Sequence, residues 1–303
     1  MHATGWKLAH GRVLALHPTP ILAILNLTPD SFYAASRFDA DIVDHAARFV
    51  ADGAAMLDLG PESTRPGAAP VPADVQLQRL LPAVEAIRRA PAPLGTIPLS
   101  IDTTSAAVAD AALSAGANAI NDVSAGLDDP AMLATVAKHS AGIILMHRLA
   151  PPSADAYSDK YASPPAYDDV VTHVRDFLQA RARQALAAGI PPEAIVLDPG
   201  LGFGKTVAQN LDLIARTAEL AALGHPILSA LSRKSFIGRV ALNRDSDPAE
   251  RLAGTLAASV LHLRNGASLA RVHDVREHRQ ALDTLAALGG PARPPDAPPA
   301  PGR

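Results

Sequence analysis

Residues 198–205 read Asp-Pro-Gly-Leu-Gly-Phe-Gly-Lys, and the apolar run 194–197 delivers Asp198 to that turn. A strand that ends on an acid before a Gly-rich turn presents the acid at the rim of a binding site. Similar endings recur along the chain: Asn26 after 22–25, Asp58 after 55–57, Asp102 after 100–101, Asn121 and Asp122 after 119–120. His147 follows 143–146, Ser232-Arg233-Lys234 follows 227–228, and Arg271 and His273 follow 269–270. A buried carboxylate requires a cation, a metal or several donors. Taken singly, each acid can be satisfied by loop amides or by Lys and Arg. Gathered at one mouth, Asp58, Asp102, Asn121 and Asp198 suit the edge of an amino-pyrimidinone, whose ring N–H and exocyclic amine meet a carboxylate side by side. Asn121 can both donate to and accept from that edge.

The cations suggest an anion at the same mouth. Ser232-Arg233-Lys234-Ser235 and Arg271-x-His273 each follow an apolar strand, where β/α barrels commonly hold phosphate. In the loop 62–67, Arg65 supplies a planar, bidentate phosphate donor. The carboxamide and hydroxyl groups of the loop 26–31 suit a hydrated Mg²⁺ bound through oxygen. Met146-His147 fits a packed barrel layer followed by a loop histidine as well as it fits a ligand contact. Lys205-Thr206 after glycines is not a P-loop, because the spacing requires Gly at position 199, which is Pro199. The glycines instead let the backbone pass close to a flat ligand.

Eight strand–helix pairs are needed to bring these endings together. The spacing predicts strands near 21–25, 54–59, 98–101, 118–121, 142–146, 194–197, 226–230 and 268–272. Helices are expected near 39–52, 75–87, 104–115, 129–139, 167–188, 207–222, 248–264 and 275–288. Gly53, Gly116, Gly142, Gly189, Gly224 and Gly266 punctuate the passage from helix to strand. An open doubly wound sheet would gather its polar residues at one switch point, whereas here they cap nearly every strand. The expected fold is therefore a single (β/α)8 TIM barrel over 21–288, with an N-terminal extension, 1–20, and a disordered Pro/Ala-rich tail, 289–303. The 303 residues suffice for that barrel, and a net charge of −3 gives no sign of a nucleic-acid or membrane-surface partner. The absence of cysteine excludes disulfides and thiolate chemistry. No apolar leader or spanning run is apparent, so a soluble cytoplasmic protein is expected.

In order and spacing, the segments ILNLTPDSF, DLGPESTRPGA, SIDT, INDVSAG, ILMH, LDPGLGFGKT, LSRKSFIG and RVHDV resemble the dihydropteroate synthase family of pterin-binding barrels over about Ile21–Leu288. The resemblance implies a transferase of folate biosynthesis. Such an enzyme condenses 7,8-dihydro-6-hydroxymethylpterin diphosphate with para-aminobenzoate to give dihydropteroate and pyrophosphate. By position, Asp102, Asn121, Asp198 and Lys234 are the implied pterin clamp, with Met146 packing beside it and Arg271 flanking the ring. Asn26 is the implied Mg²⁺ and diphosphate residue. Thr64, Arg65, Arg271 and His273 are the implied anion and loop contacts, and Phe203, Pro66, Lys234 and Ser235 shape the aminobenzoate pocket. The residues implied to act on the reaction itself are Asp102, Arg65, Lys234, Arg271 and His273. The implied partners are the two small substrates, and the implied assembly is a homodimer through outer helices.

Three departures stand out: Tyr33-Ala34-Ala35-Ser36 where the family usually continues Ser-Asp-Gly-Gly, Pro61 in place of a glycine, and Arg148-Leu149-Ala150-Pro151 after the Met-His pair. The first supports an alternative reading as a non-catalytic or weakly active pterin-binding paralogue. A pterin-dependent methyltransferase domain on the same barrel gives no reason for the STRPG loop together with SRKS and RVHDV.

Overall fold

The computed structural model describes residues 4–27 and 38–289, with residues 38–40 as backbone only. The expectations for 28–37, the first loop, and for 290–303, the tail, lie outside the described residues. A hairpin opens the chain, with β1 (Gly5–Lys7) antiparallel to β2 (Val13–Ala15). The barrel strands follow: β3 (Ile21–Asn26), β4 (Met56–Gly60), β5 (Leu99–Asp102), β6 (Ala119–Asp122), β7 (Gly142–Met146), β8 (Ile195–Asp198), β9 (Leu228–Ser229) and β10 (Leu269–Val272). The crossover helices are α1 (Phe38–Ala51), α2 (Ala73–Arg89), α3 (Ala106–Ser114), α4 (Met132–Lys138), α5 (Val170–Ala187), α6 (Val207–Ala215), α7 (Thr217–Ala221), α8 (Ser235–Leu242), α9 (Leu252–Arg264) and α10 (Val275–Ala287).

The parallel strands run in the order β8-β7-β6-β5-β4-β3-β10-β9, and a bridge between Leu197 and Ile227 joins the ends. Strand alternation divides each sequence between two environments. Leu57, Leu59, Ile101, Ile120, Ile143, Leu145, Ile195 and Leu197 belong to the large core shared with the helices. The opposite parity, Leu22, Met56, Ala119, Ile144, Val196, Leu228 and Leu269, fills the barrel floor. Two residues further along that inner parity, apolar side chains give way to Asp58, Asn121, Met146, Asp198 and Arg271. The apolar floor supports the fold, and the polar layer above it is available for chemistry.

The hairpin seals that floor. Trp6, Leu8, Leu14 and Leu16 join the same apolar cluster, and the fully buried Trp6 donates its indole Nε1–H to the Ala194 carbonyl at 2.9 Å. Part of the segment 1–20, expected only as an extension, is thus a structural part of the barrel.

Local departures from the expected elements have identifiable causes. The single helix expected over 207–222 is broken at Arg216, which has φ −106° and ψ 24°. There Thr217 Oγ1 donates to the carbonyls of Leu213 at 3.0 Å and Ile214 at 2.8 Å, and Asn265 Nδ2 also donates to Ile214 O. Carbonyls held by side chains no longer need a continuing helix. The helix expected over 248–264 opens as a tight 3₁₀ turn, Pro248–Arg251, capped by Asp247 and Glu250. The strand expected over 226–230 contracts to β9, and the extra helix α8 follows the Ser-Arg-Lys turn. Among the described residues, no helix is long and apolar enough to cross a membrane.

Candidate active site

At the C-terminal mouth lies a cavity of about 690 Å³, bordered by the ends of β3, β5 and β10 and by the loops after β4 and β9. Its walls include Asn26, Thr64, Arg65, Pro66, Asp102, Lys234, Ser235, Arg271 and His273. Nine of the expected site residues are thus brought to one space. The other four, Asn121, Met146, Asp198 and Phe203, are 2, 2, 3 and 8 % exposed and do not line it in this conformation.

Arg271 connects the two groups. Its Nε donates to Asp58 Oδ2 at 2.6 Å and its Nη2 to Asp102 Oδ2 at 2.7 Å. Asn121 Nδ2 reaches the same Asp58 oxygen at 3.4 Å. The register explains the convergence, since Asp102 pairs with Asn121 across β5 and β6 while Asp58 pairs with Ser100 across β4 and β5. The remaining oxygens, Asp58 Oδ1, Asp102 Oδ1, Asn121 Oδ1 and Ser100 Oγ, are buried and have no partner among the described residues. Buried acceptors are rarely left unmet in a native structure, so this set is built for a donor-rich ligand.

The charges are tuned by the same burial. Desolvation pushes the Asp102 carboxyl up to about 7, opposed by Arg271 and reinforced by Asp58. Desolvation also raises Asp198, against the pull of Lys234 and of its hydrogen bond from Gly200 N at 2.7 Å. Lys234 is lowered to about 8, first by burial, although Asp198 favours its charged form. Burial works against the Arg271 cation, but Asp58 and Asp102 outweigh it and the guanidinium stays charged. His273 is lowered to about 3 by burial and then by Arg271 and Arg233. In the free protein it is therefore a neutral hydrogen-bonding group, with Nδ1 on Ser232 Oγ at 3.1 Å. Beside two arginines, it offers an anion a neutral hydrogen bond rather than a charge of its own.

Two clusters complete the site. Lys234 Nζ sits 4.4 Å from the centre of the Phe203 ring and donates to Leu201 O. Phe203 packs with Met146 and Val123. Arg233, just before Lys234, has φ 60°, a left-handed conformation that costs a β-carbon-bearing residue about 1 kcal/mol. It is held there by Thr255 Oγ1, by Arg251 on its carbonyl and by Asp274 on its guanidinium. Strain of this kind, fixed from several sides, aims the neighbouring Lys234.

Asp58, expected among the strand-end acids, has a partner that its local sequence does not reveal, Arg271. Lys205 was set aside with the P-loop, yet it is fully buried and its Nζ meets His147 Nδ1 at 2.9 Å. That contact, and edge-on rings from His173 and Phe177, make His147 a packed residue, 1 % exposed. A lysine directly after a Gly-rich turn was the available signal, but only the fold shows that it points inward.

Comparison with known proteins follows the same outline. Residues 22–273 match the family described as pterin binding enzyme. The dihydropteroate synthase of Mycobacterium leprae is 42 % identical over 280 residues, covering 90 % of this chain and 95 % of that protein. Among solved structures, Xanthomonas albilineans dihydropteroate synthase with 4-aminobenzoic acid superposes with a TM-score of 0.82 at 38 % identity, covering 95 % of this chain and 98 % of the other. Thermus thermophilus dihydropteroate synthase in complex with 6HMPPP gives a TM-score of 0.77 at 40 % identity, over 94 % and 99 % of the two chains.

Proposed function

This chain belongs to the pterin binding enzyme family, and from that premise we propose that it condenses 7,8-dihydro-6-hydroxymethylpterin diphosphate with para-aminobenzoate, forming 7,8-dihydropteroate and pyrophosphate. The observation that carries the reading is the set of unpartnered acceptors on Asp58, Asp102 and Asn121, linked through Arg271 and Asp58 at the strand ends. A pterin edge offers the ring N–H and amine donors that such acceptors need. Asp198 and Lys234 supply a further acceptor and donor, and Met146 with Phe203 supplies apolar packing. As pterin enters, Arg271 gives up Asp102 and turns its fork to the ring and the leaving group.

The reaction then needs little covalent help. The bond from the exocyclic methylene to the diphosphate oxygen breaks, and its electron pair leaves with pyrophosphate. The electron-rich pterin delocalises the resulting positive charge, which ionised Asp102 favours. The neutral arylamine of para-aminobenzoate forms the C–N bond and sheds a proton to water or to pyrophosphate. Arg65, exposed on the rim, and Arg271 stabilise the charge developing on the leaving group. His273 adds a neutral hydrogen bond. The loops at the mouth exclude water that would otherwise trap the cation.

A hard cation fits this donor set in one way. The described residues contain no group of three or more His, Asp or Glu that could hold a metal. Asn26, however, lines the cavity with a carboxamide. Mg²⁺ commonly takes one or two protein oxygens and completes its shell with phosphate and water. Asn26 would therefore hold a cation that arrives with the diphosphate, and the ion would neutralise charge on the leaving group. We also propose a homodimer; exposed Val240 and Leu261, on α8 and α9, support an apolar contact there.

The test is pyrophosphate release from the pterin diphosphate with and without para-aminobenzoate. Release that depends on para-aminobenzoate, with dihydropteroate formed, is expected. Pterin binding without release would favour the non-catalytic reading, whose support is the Tyr33–Ser36 sequence.

A further inference from the structure

Most backbone polar groups of the loop Gly200–Gly204 are held from outside it. Gly200 N donates to Asp198 Oδ1 at 2.7 Å, and Gly202 N to Asn210 Oδ1 at 2.6 Å. Lys205 Nζ donates to the carbonyls of Gly200 at 3.0 Å and Phe203 at 2.7 Å, besides its contact with His147 Nδ1. Three protons on an ammonium match those three near acceptors. Gly204 is held at both ends, its N–H by Asp155 Oδ2 at 3.0 Å and its carbonyl by the Tyr167 hydroxyl at 2.7 Å. Asp155 is itself fixed through its other oxygen, which accepts from Ala156 N at 2.8 Å and from the Tyr161 hydroxyl at 2.6 Å.

The loop is also pressed against the chain that holds it. A β-carbon on Gly200 would lie 1.8 Å from His147 O, and one on Gly204 would lie 2.4 Å from Leu149 Cβ. Both glycines have positive φ, 67° and 59°. Asp155, Tyr161 and Tyr167 all come from the long connection between β7 and α5, and Lys205 reaches back beneath it. No step of the proposed chemistry uses these four residues.

We infer that Lys205, Asp155 and Tyr167 are positioning residues that act through the Gly200–Gly204 loop on Phe203, and so set the wall against which the aminobenzoate ring packs. The inference rests on the function proposed above. A backbone with most of its donors and acceptors engaged has little freedom to re-aim the side chain it carries, so the position of Phe203 is set before substrate arrives. Releasing one anchor leaves a buried polar group unmet and lets the loop sample other conformations. The backbone of Asp198, at the end of β8 and paired with Met146, is set by the barrel, and the loop reaches its carboxylate through one bond, from Gly200 N. The second substrate should therefore feel the change more than the pterin does.

The experiment compares the full chain with Tyr167→Phe, Asp155→Ala and Lys205→Met. Steady-state KM values are measured for para-aminobenzoate and for the pterin diphosphate. Amide hydrogen exchange of residues 200–204 is followed without substrate. The expected result is a para-aminobenzoate KM raised about 5- to 10-fold in each variant, with the pterin diphosphate KM within about 2-fold and faster exchange confined to the loop and its anchors. A generally destabilised protein would lower the amount of active enzyme without this split. If Lys205→Met does not fold, Tyr167→Phe removes a single hydroxyl and carries the same test. Loop exchange as slow as in the parent, or equal changes in the two KM values, would overturn the inference. A parent chain with no condensation activity would strike the proposed function instead, and the exchange data would still judge the anchors.

Discussion

Asp198 and Asp102 are both buried acceptors at strand ends, yet they should respond differently to substitution and to pH. In Asp198→Asn, one oxygen can still take Gly200 N, but the other position becomes a donor facing a donor. Pterin binding should weaken by about 2–4 kcal/mol with the fold intact, as for a charged hydrogen bond lost in a dry site. Unchanged affinity in calorimetry would remove Asp198 from the clamp. Asp102 has its folded pKa raised to about 7, so its proton is held more tightly in the native protein than in the unfolded chain. The stability this contributes is present in acid and is lost as pH rises through about 7. Ligand binding has the opposite sign, because the pterin donors need the ionised carboxylate. Pterin affinity should tighten between pH 6 and 8, with proton release on binding near neutrality, and Asp102→Asn should abolish that slope. An equally steep slope in the variant would assign it to another group. Arg271→Lys should recover only part of the turnover lost in Arg271→Ala, because a point charge cannot hold Asp58 and at the same time present a planar fork to the ring and the leaving group. Steady-state kinetics of the two variants check this.

Among the elements, the hairpin β1–β2 and the first loop test opposite ends of the barrel. Trp6 fills the floor and bonds Ala194, so Trp6→Ala leaves a cavity and removes a buried partner. A loss of about 3–5 kcal/mol in denaturant unfolding is expected, with pterin affinity in the folded protein nearly unchanged because the polar layer lies above the floor. Coupled loss of affinity at low denaturant would show that floor and mouth are not independent. Replacing Tyr33-Ala34-Ala35-Ser36 by Ser-Asp-Gly-Gly should change turnover more than pterin affinity, since the clamp sits on the strands. Turnover left unaltered by that swap would show that the loop's departure matters little.

For the whole molecule, the prediction concerns the order in which the site is completed. On one side of the expected aminobenzoate pocket, Lys234 already lines the cavity and covers Phe203. The other side is expected to form only when the leaving group orders the loops at the mouth. Para-aminobenzoate should therefore bind tightly only in the presence of pyrophosphate and Mg²⁺, and activity should disappear in excess chelator. Calorimetric titration of para-aminobenzoate with and without pyrophosphate and Mg²⁺ reads the first effect; full turnover in chelator would remove the metal from the scheme.

Most of the architecture was legible because alternation is a local property. A strand with one face toward helices and one toward a barrel interior must place Asp58, Asn121, Asp198 and Arg271 on the inner parity, and the eight polar endings followed from that. The family motifs added the substrates and the residues expected to meet them. Three things were settled by contacts between residues far apart in sequence. Arg271 spans Asp58 and Asp102, 213 and 169 residues away, so its partners could not be read from spacing. His273 is kept neutral by burial and by arginines brought from other segments, a sum of fields with no signature in a motif. Spacing excluded Lys205 from a phosphate loop but gave it no other partner, and only the fold turns its ammonium toward three buried acceptors. Side-chain type and parity are written in the chain one residue at a time. Charge state and partnership depend on which distant groups share a dry space, and folding alone brings those groups together.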